Sequence, residues 1–169
     1  MTDQDIRCMV RALELARKAM EEEEVPVGAV LLLGGEIVGE GRNRGRTSSD
    51  PTAHAEMTAI RMAASRLGNY RLAGATLYVT LEPCFMCFGA MLEGRISRLV
   101  YGTRELRRGV LGSLYDLHND PRLHHKIEVV SGLLDKESRD LLQEFFQKKR
   151  EGELKEPSLE ILPSPSPGD

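Results

Sequence analysis

Two short motifs carry residue types that could do chemistry together. His54 and Glu56 stand in His54-Ala55-Glu56, and Cys84 and Cys87 stand in Pro83-Cys84-Phe85-Met86-Cys87. Two thiolates and one imidazole are soft or borderline donors suited to zinc, and three protein ligands leave one tetrahedral position for water, as catalytic rather than structural sites do. A structural site wants a fourth ligand, and none is placed for it. Cys8 falls on a distant amphipathic segment, where it reads as a small residue near a buried face. His118, His124 and His125 follow far downstream. Zinc lowers the pKa of a bound water to about 7. Glu56, two residues from a ligand and within a first helical turn, would lie beside that water without coordinating and could take its proton. The expectation is one zinc per chain on His54, Cys84 and Cys87, with Glu56 as the proton shuttle. Taken singly, a C-x-x-C can be redox-active or structural and an H-x-E arises by chance in many helices. Their joint occurrence, with Pro83 before the first cysteine, favours the catalytic reading.

The elements around these residues must position them. Ile6, Met9, Val10, Leu13, Ala16 and Met20 recur at helical spacing, which predicts an amphipathic helix over 4–22. It ends in the acidic run Glu21 to Glu24, like charges that oppose the dipole at a helix C-terminus. Strands over 25–33 and 36–40 flank Gly34-Gly35, a pair that supplies the positive φ angles of a tight hairpin. Asp50 as N-cap and Pro51 in the first turn predict a helix over 53–67. A strand over 75–81, a short helix over 83–93 and strands over 96–101 and 126–131 follow, and Leu141, Leu142, Phe145 and Phe146 mark a last helix over 136–150. This pattern predicts an α/β fold with three layers, α/β/α, in which a mixed five-stranded sheet is flanked by helices. Both motifs then sit at helix N-termini, where first-turn N–H groups and the helix dipole favour thiolates.

At 169 residues with 41% hydrophobic content, the chain suits one compact domain that buries roughly two thirds of its unfolded surface. That domain is expected over 1–150. Residues 151–169, with Pro157, Pro163, Pro165, Pro167 and interleaved serines, read as an acidic, disordered tail. No stretch approaches the ~18 apolar residues of a membrane span. The polar start of the chain lacks the basic-then-apolar pattern of a secretion signal, so the expected location is cytoplasmic. Three cysteines argue against a disulfide framework. The net charge of -3 divides into -4 on residues 151–169 and +1 on residues 1–150. Positive charge gathers at Arg42, Arg44 and Arg46, at Arg104, Arg107 and Arg108, and at Lys148, Lys149 and Arg150. Each cluster alone reads as a solvated face; the three together leave a polyanionic substrate open.

Beyond the metal motifs, a family resemblance rests on Val25-Pro26-Val27-Gly28-Ala29-Val30, Asn43-Arg44, Asp50-Pro51-Thr52-Ala53-His54-Ala55-Glu56, Asn69-Tyr70-Arg71-Leu72 and Ala75-Thr76-Leu77-Tyr78-Val79-Thr80-Leu81-Glu82-Pro83-Cys84. Over residues 4–150 the chain resembles the bacterial tRNA-specific adenosine deaminases of the cytidine deaminase-like superfamily. The resemblance implies that superfamily's fold, a homodimer, and inosine as product at the wobble position of a tRNA anticodon loop, typically in an arginine tRNA. By position it makes His54, Cys84 and Cys87 the zinc ligands, Glu56 the shuttle, Asn43 a hydrogen-bond partner of the target base and Val27 a residue lining the pocket. It further implies that water adds at C6 of adenine while Glu56 protonates N1 and then passes a proton to the departing ammonia. A single-stranded loop lets the adenosine be extruded at lower cost than a duplex does. The chain departs from the family at Arg104-Glu105, where Arg-Asp is common, at Arg107, where Lys is usual, at His124-His125 in place of an Asn-His pair, and in having no Trp. Two other readings share the same residues: a deaminase of a free base or nucleoside such as guanine or cytosine, and a non-catalytic zinc-folded subunit of a partner deaminase. Glu56 speaks against the second, because a scaffold needs no carboxylate at that place.

Overall fold

In the computed structural model, which describes residues 1–154, helix α1 (Asp3–Glu21) begins where Thr2 caps it. Thr2 Oγ1 accepts the Asp5 N–H, and the Asp5 carboxylate accepts the Thr2 N–H, so two donors left open by a helix start are satisfied reciprocally. The chain continues through β1 (Gly28–Leu33), β2 (Glu36–Arg42), α2 (Ala55–Leu67), β3 (Thr76–Leu81), α3 (Phe85–Glu93), β4 (Arg98–Thr103), β5 (Glu128–Ser131) and α4 (Asp135–Arg150). The sheet order is β2-β1-β3-β4-β5. β1 runs antiparallel to β2 and β3, whereas β3, β4 and β5 are parallel. Side chains alternate across it. Val30, Leu32, Tyr78 and Val100 pack with α1, and Ala29, Leu31, Leu77, Val79 and Leu99 pack with α2 and α3 on the opposite face. Leu141 of α4 joins Leu13 and Ala16 of α1. The result is the mixed five-stranded sheet between helical layers that the sequence pattern predicts. The expected Pro/Ser-rich tail lies outside the described residues from 155 onward; residues 151–154 continue from α4 in a turn.

Several boundaries shift for identifiable reasons. β1 starts at Gly28 rather than 25, because Pro26 has no N–H and the Val27 N–H turns back to the Val25 carbonyl at 2.8 Å. α2 starts at Ala55 rather than 53: the Asp50 carboxylate is occupied by the Thr52 N–H and hydroxyl, so it cannot cap the helix. The Ile96 N–H bonds to the Met91 carbonyl at the end of α3, which delays β4 to Arg98.

Two contacts set the frame around the motifs. α2 rests on β2 almost backbone to backbone: a Cβ at Gly39 would stand 2.2 Å from the Ala59 carbonyl oxygen, and one at Gly41 would stand 2.1 Å from that of Ala55. At the other end of the sheet, the Asp5 carboxylate is buried against Tyr78 and Arg98. It accepts the Tyr78 hydroxyl at 2.8 Å and Arg98 Nη1 at 2.7 Å, which ties α1 to β3 and β4. Arg98 first of all, with Thr2 and Tyr78, holds the Asp5 carboxyl far below the usual carboxylate range. The acidic run after α1 also does more than end a helix. Glu22 pairs with Arg42 and Glu23 with Arg46, and Glu24 accepts the Thr47 N–H. Much of the first basic cluster is therefore neutralised within the fold.

A depressed folded-state pKa contributes stability that is complete above the unfolded carboxyl value near 4 and is lost as pH falls below it. Asp5→Ala should cost about 3 kcal/mol near neutral pH, the scale of breaking a buried pair. In chemical denaturation followed from pH 7 to pH 2, the difference between wild type and variant should shrink on acidification. A difference that stays constant over that range would count against the assignment.

Candidate active site

His54 is the N-cap of α2 and Cys84 the N-cap of α3, both with extended backbone and neither with a side-chain capping bond. The two helices thus aim their N-termini at one place. Asn43, just past β2, supplies the missing cap of α2: its Oδ1 accepts the Ala55 N–H at 3.0 Å. Pro83 leads out of β3 and directs the chain into α3, so that Cys87 falls in the first turn, fully buried.

His54 Nδ1 lies 3.7 Å from Cys84 Sγ and 3.4 Å from Cys87 Sγ, and one donor atom from each of the three residues falls within 4.8 Å of the others. Zinc bonds of roughly 2.0 Å to nitrogen and 2.3 Å to sulfur at a tetrahedral angle separate N and S by about 3.5 Å. The donor set and spacing therefore fit zinc as they stand. Contact with Cys87 first, and then with His54, lowers the Cys84 thiol to about 3, and the same contact with burial pushes Cys87 up. His54 is raised, chiefly by Cys84. The thiolate form of Cys84 is favoured, at a helix N-terminus that suits it.

Glu56 sits in the first turn of α2 beside these donors and is 4% exposed. Burial pushes its carboxyl above the ordinary range. His54, Glu56 and Cys84 open onto a cleft of about 390 Å³, its mouth included, which Asn43 and Val27 also line. The structure therefore brings all six sequence-predicted residues together, with Cys87 immediately behind the lining. Val27 serves the core and the cleft at once. The lining also includes Val25, Leu81, Glu82, Glu105 and Arg108. Of these, sequence reasoning singled out Glu105 only as a departure in the loop after β4, and it missed Glu82; a charged residue closing the apolar run 76–81 was the available signal. Arg107 faces away from this cleft, into a groove along α4.

The comparisons with known proteins agree with this geometry. The family described as the cytidine and deoxycytidylate deaminase zinc-binding region matches residues 2–103, which is the class that the fold and the His–Cys–Cys cluster define. A tRNA-specific adenosine deaminase of Haemophilus influenzae is 49% identical over 156 residues, covering 92% of this chain and 90% of that one. One from Agrobacterium fabrum is 48% identical over 142 residues, covering 84% and 93%. A solved structure from a study of A-to-I editing by tRNA:A34 deaminases at the wobble position of transfer RNA superposes with a TM-score of 0.78 at 47% identity, over 80% of this chain and 99% of that one. The chain belongs to the family of tRNA-specific adenosine deaminases.

If the three donors act as one site, Cys84→Ser should lose metal. Ligand-linked stability is about 4 kcal/mol when free zinc stands ~1000-fold above its Kd. Added zinc should then raise the unfolding midpoint of wild type and leave that of the variant nearly unmoved. Full zinc occupancy in Cys84→Ser by metal analysis would contradict the ligand set.

Proposed function

We propose that the protein is a zinc-dependent hydrolase that converts adenosine to inosine in tRNA, at the wobble position of the anticodon loop, with an arginine tRNA as substrate. The observation that carries the reading is the buried Glu56 carboxylate set beside the His54, Cys84 and Cys87 donors in a cleft open to solvent. One zinc per chain would supply Lewis acidity there, bringing a water's pKa near 7.

The chain's own residues supply the rest. Glu56 takes a proton from the water and delivers it to N1 of the base as the water oxygen bonds to C6; it then takes the proton left on that oxygen and hands it to the amine, which leaves as ammonia when the C6–N bond breaks. Burial raises this carboxyl above its ordinary range, so it holds a proton more readily than a surface carboxylate and can pass it on. Asn43 uses its carbonyl oxygen to cap α2, which leaves its amide NH2 to donate to the base. Val25, Val27 and Leu81 give the base an apolar wall.

RNA is favoured over a free base by the surface next to the cleft. A groove of roughly 1720 Å³, its mouth included, between the loop after β4 and helix α4 is lined by Arg104, Arg107, Lys149 and Arg150, with Leu106 and Phe146 exposed among them. Alternating cations and apolar faces suit a single-stranded backbone with unstacked bases. The second reading, a free-base or nucleoside deaminase, uses the same zinc site and has no need of this groove. A homodimer is supported by the edge-on Phe85–Tyr115 ring pair, 4.9 Å between centroids, which leaves two aromatic side chains about half exposed together. No helix among the described residues is long and apolar enough to cross a membrane, and a cytoplasmic location fits a tRNA substrate.

Two experiments test the reading. Glu56→Ala should keep zinc and fold yet lose more than the 10²- to 10⁴-fold of a single proton-transfer step, because one carboxylate acts twice; near-normal turnover by the zinc-loaded variant would end its role. Replacing Arg104, Arg107 and Arg150 together by Ala should flatten the salt dependence of tRNA binding, by about 0.7 in log–log slope for each phosphate that is no longer neutralised. An unchanged slope, alongside release of ammonia from free bases, would favour the second reading.

A further inference from the structure

Glu82 follows β3 directly, and its carboxylate is 2% exposed although the proton chemistry above does not use it. Its Oε1 accepts the N–H groups of Leu111 at 2.8 Å and Ser113 at 3.2 Å. Its Oε2 accepts the Glu105 N–H at 3.1 Å and the Ser113 hydroxyl. These partners are neutral and all lie in one segment, so a single carboxylate fastens both ends of residues 105–113. Gly109 makes room for it: a Cβ there would stand 2.5 Å from Glu82 Cδ. The next residue, Val110, is buried and donates its N–H to the Pro83 carbonyl at 3.1 Å, so the segment is drawn across the β3–α3 junction that carries Cys84. What this fastening presents to the cleft is its outer wall, Glu105 and Arg108.

We propose that Glu82 is a positioning residue for the substrate pocket: by holding the 105–113 segment in place it sets how tightly the extruded base is gripped, and it leaves the rate of the chemical step alone. The proposal rests on the reading of the cleft as the base pocket. The physical ground is preorganisation. Ordering a loose segment costs conformational entropy at every residue, and a wall already ordered spares the substrate that cost on binding. Hydrogen bonds from N–H groups to an ionised carboxylate are also about twice as strong as neutral ones, which a glutamine cannot match. Gln at this position keeps one acceptor oxygen and turns an NH2 donor toward N–H groups that need an acceptor.

The test uses the full-length, zinc-loaded protein and an anticodon stem-loop RNA with adenosine at the wobble position. Glu82→Gln should raise KM about tenfold with kcat within about twofold of wild type. Gly109→Ala, which presses on the same junction from the loop side, should raise KM similarly, and the double variant should show less than the product of the two effects because both disturb one fastening. Hydrogen exchange at the Glu105, Leu111 and Ser113 amides should quicken at least tenfold in Glu82→Gln, while the amides of β3 and α3 keep their protection. The milder Ser113→Ala serves if Glu82→Gln fails to fold; it should show a smaller KM rise in the same direction. A fall in kcat at constant KM, a loss of thermal stability with neither constant moved, or effects that multiply in the double variant would overturn the proposal. If wild type itself leaves the stem-loop adenosine untouched, the functional reading fails, and exchange at the three amides still decides whether Glu82 fastens the segment.

Discussion

A histidine nitrogen has to meet two cysteine sulfurs that lie 30 and 33 residues further along the chain, and the rest of the architecture follows from holding that meeting in place. Neither N-cap makes the usual side-chain capping bond, because His54 and Cys84 turn their side chains to each other instead. The helix starts are therefore stabilised from outside. Asn43 caps α2 across a gap of 12 residues, and the β3–Pro83 turn fixes where α3 begins. The helix dipoles that converge on the site favour the very thiolate that the metal would need.

Three buried carboxylates show how environment divides labour among like groups. Asp5 is surrounded by Arg98, Tyr78 and the Thr2 N–H, which hold it ionised and make it a tie between α1 and the sheet. Glu82 is saturated by donors from one loop segment. Glu56 is raised, by a burial that nearby partners do not offset, and a carboxyl with that balance is one that can exchange a proton. Burial is common to all three. What separates anchoring, positioning and proton transfer is the identity of the donors around each.

Much of this was legible in the sequence. The nine elements of the described residues follow from apolar periodicity with turn and cap residues, and the zinc donors from residue type and spacing, because both signals are local. The misplacements lie where a hydrogen bond crosses the fold. Asp50 looks like the cap of α2 until Asn43 takes that position, and Glu21 to Glu24 reads as a helix stop until Arg42 and Arg46 come back to pair with it. The role of Glu82 is hidden for the same reason: its partners lie 23 to 31 residues further on, in a segment with no periodic pattern. The basic clusters were visible as charge but not as partnership, and the ion pairs of Arg42, Arg46 and Lys148 remove part of each outer cluster from the account.

The near approach of α2 to β2 at Gly39 and Gly41 gives the site a mechanical reference. His54 and Glu56 are carried on one rigid helix whose height above the sheet is set by two hydrogen atoms in place of methyl groups. Any side chain at either glycine would lift that helix as a body, displacing the metal donor and the proton carrier by the same vector. Binding and turnover would then fail jointly, so damage at residues outside the cleft lining would imitate the loss of a ligand. Inheritance would preserve these two positions as stringently as it preserves reactive groups, although neither touches anything that reacts.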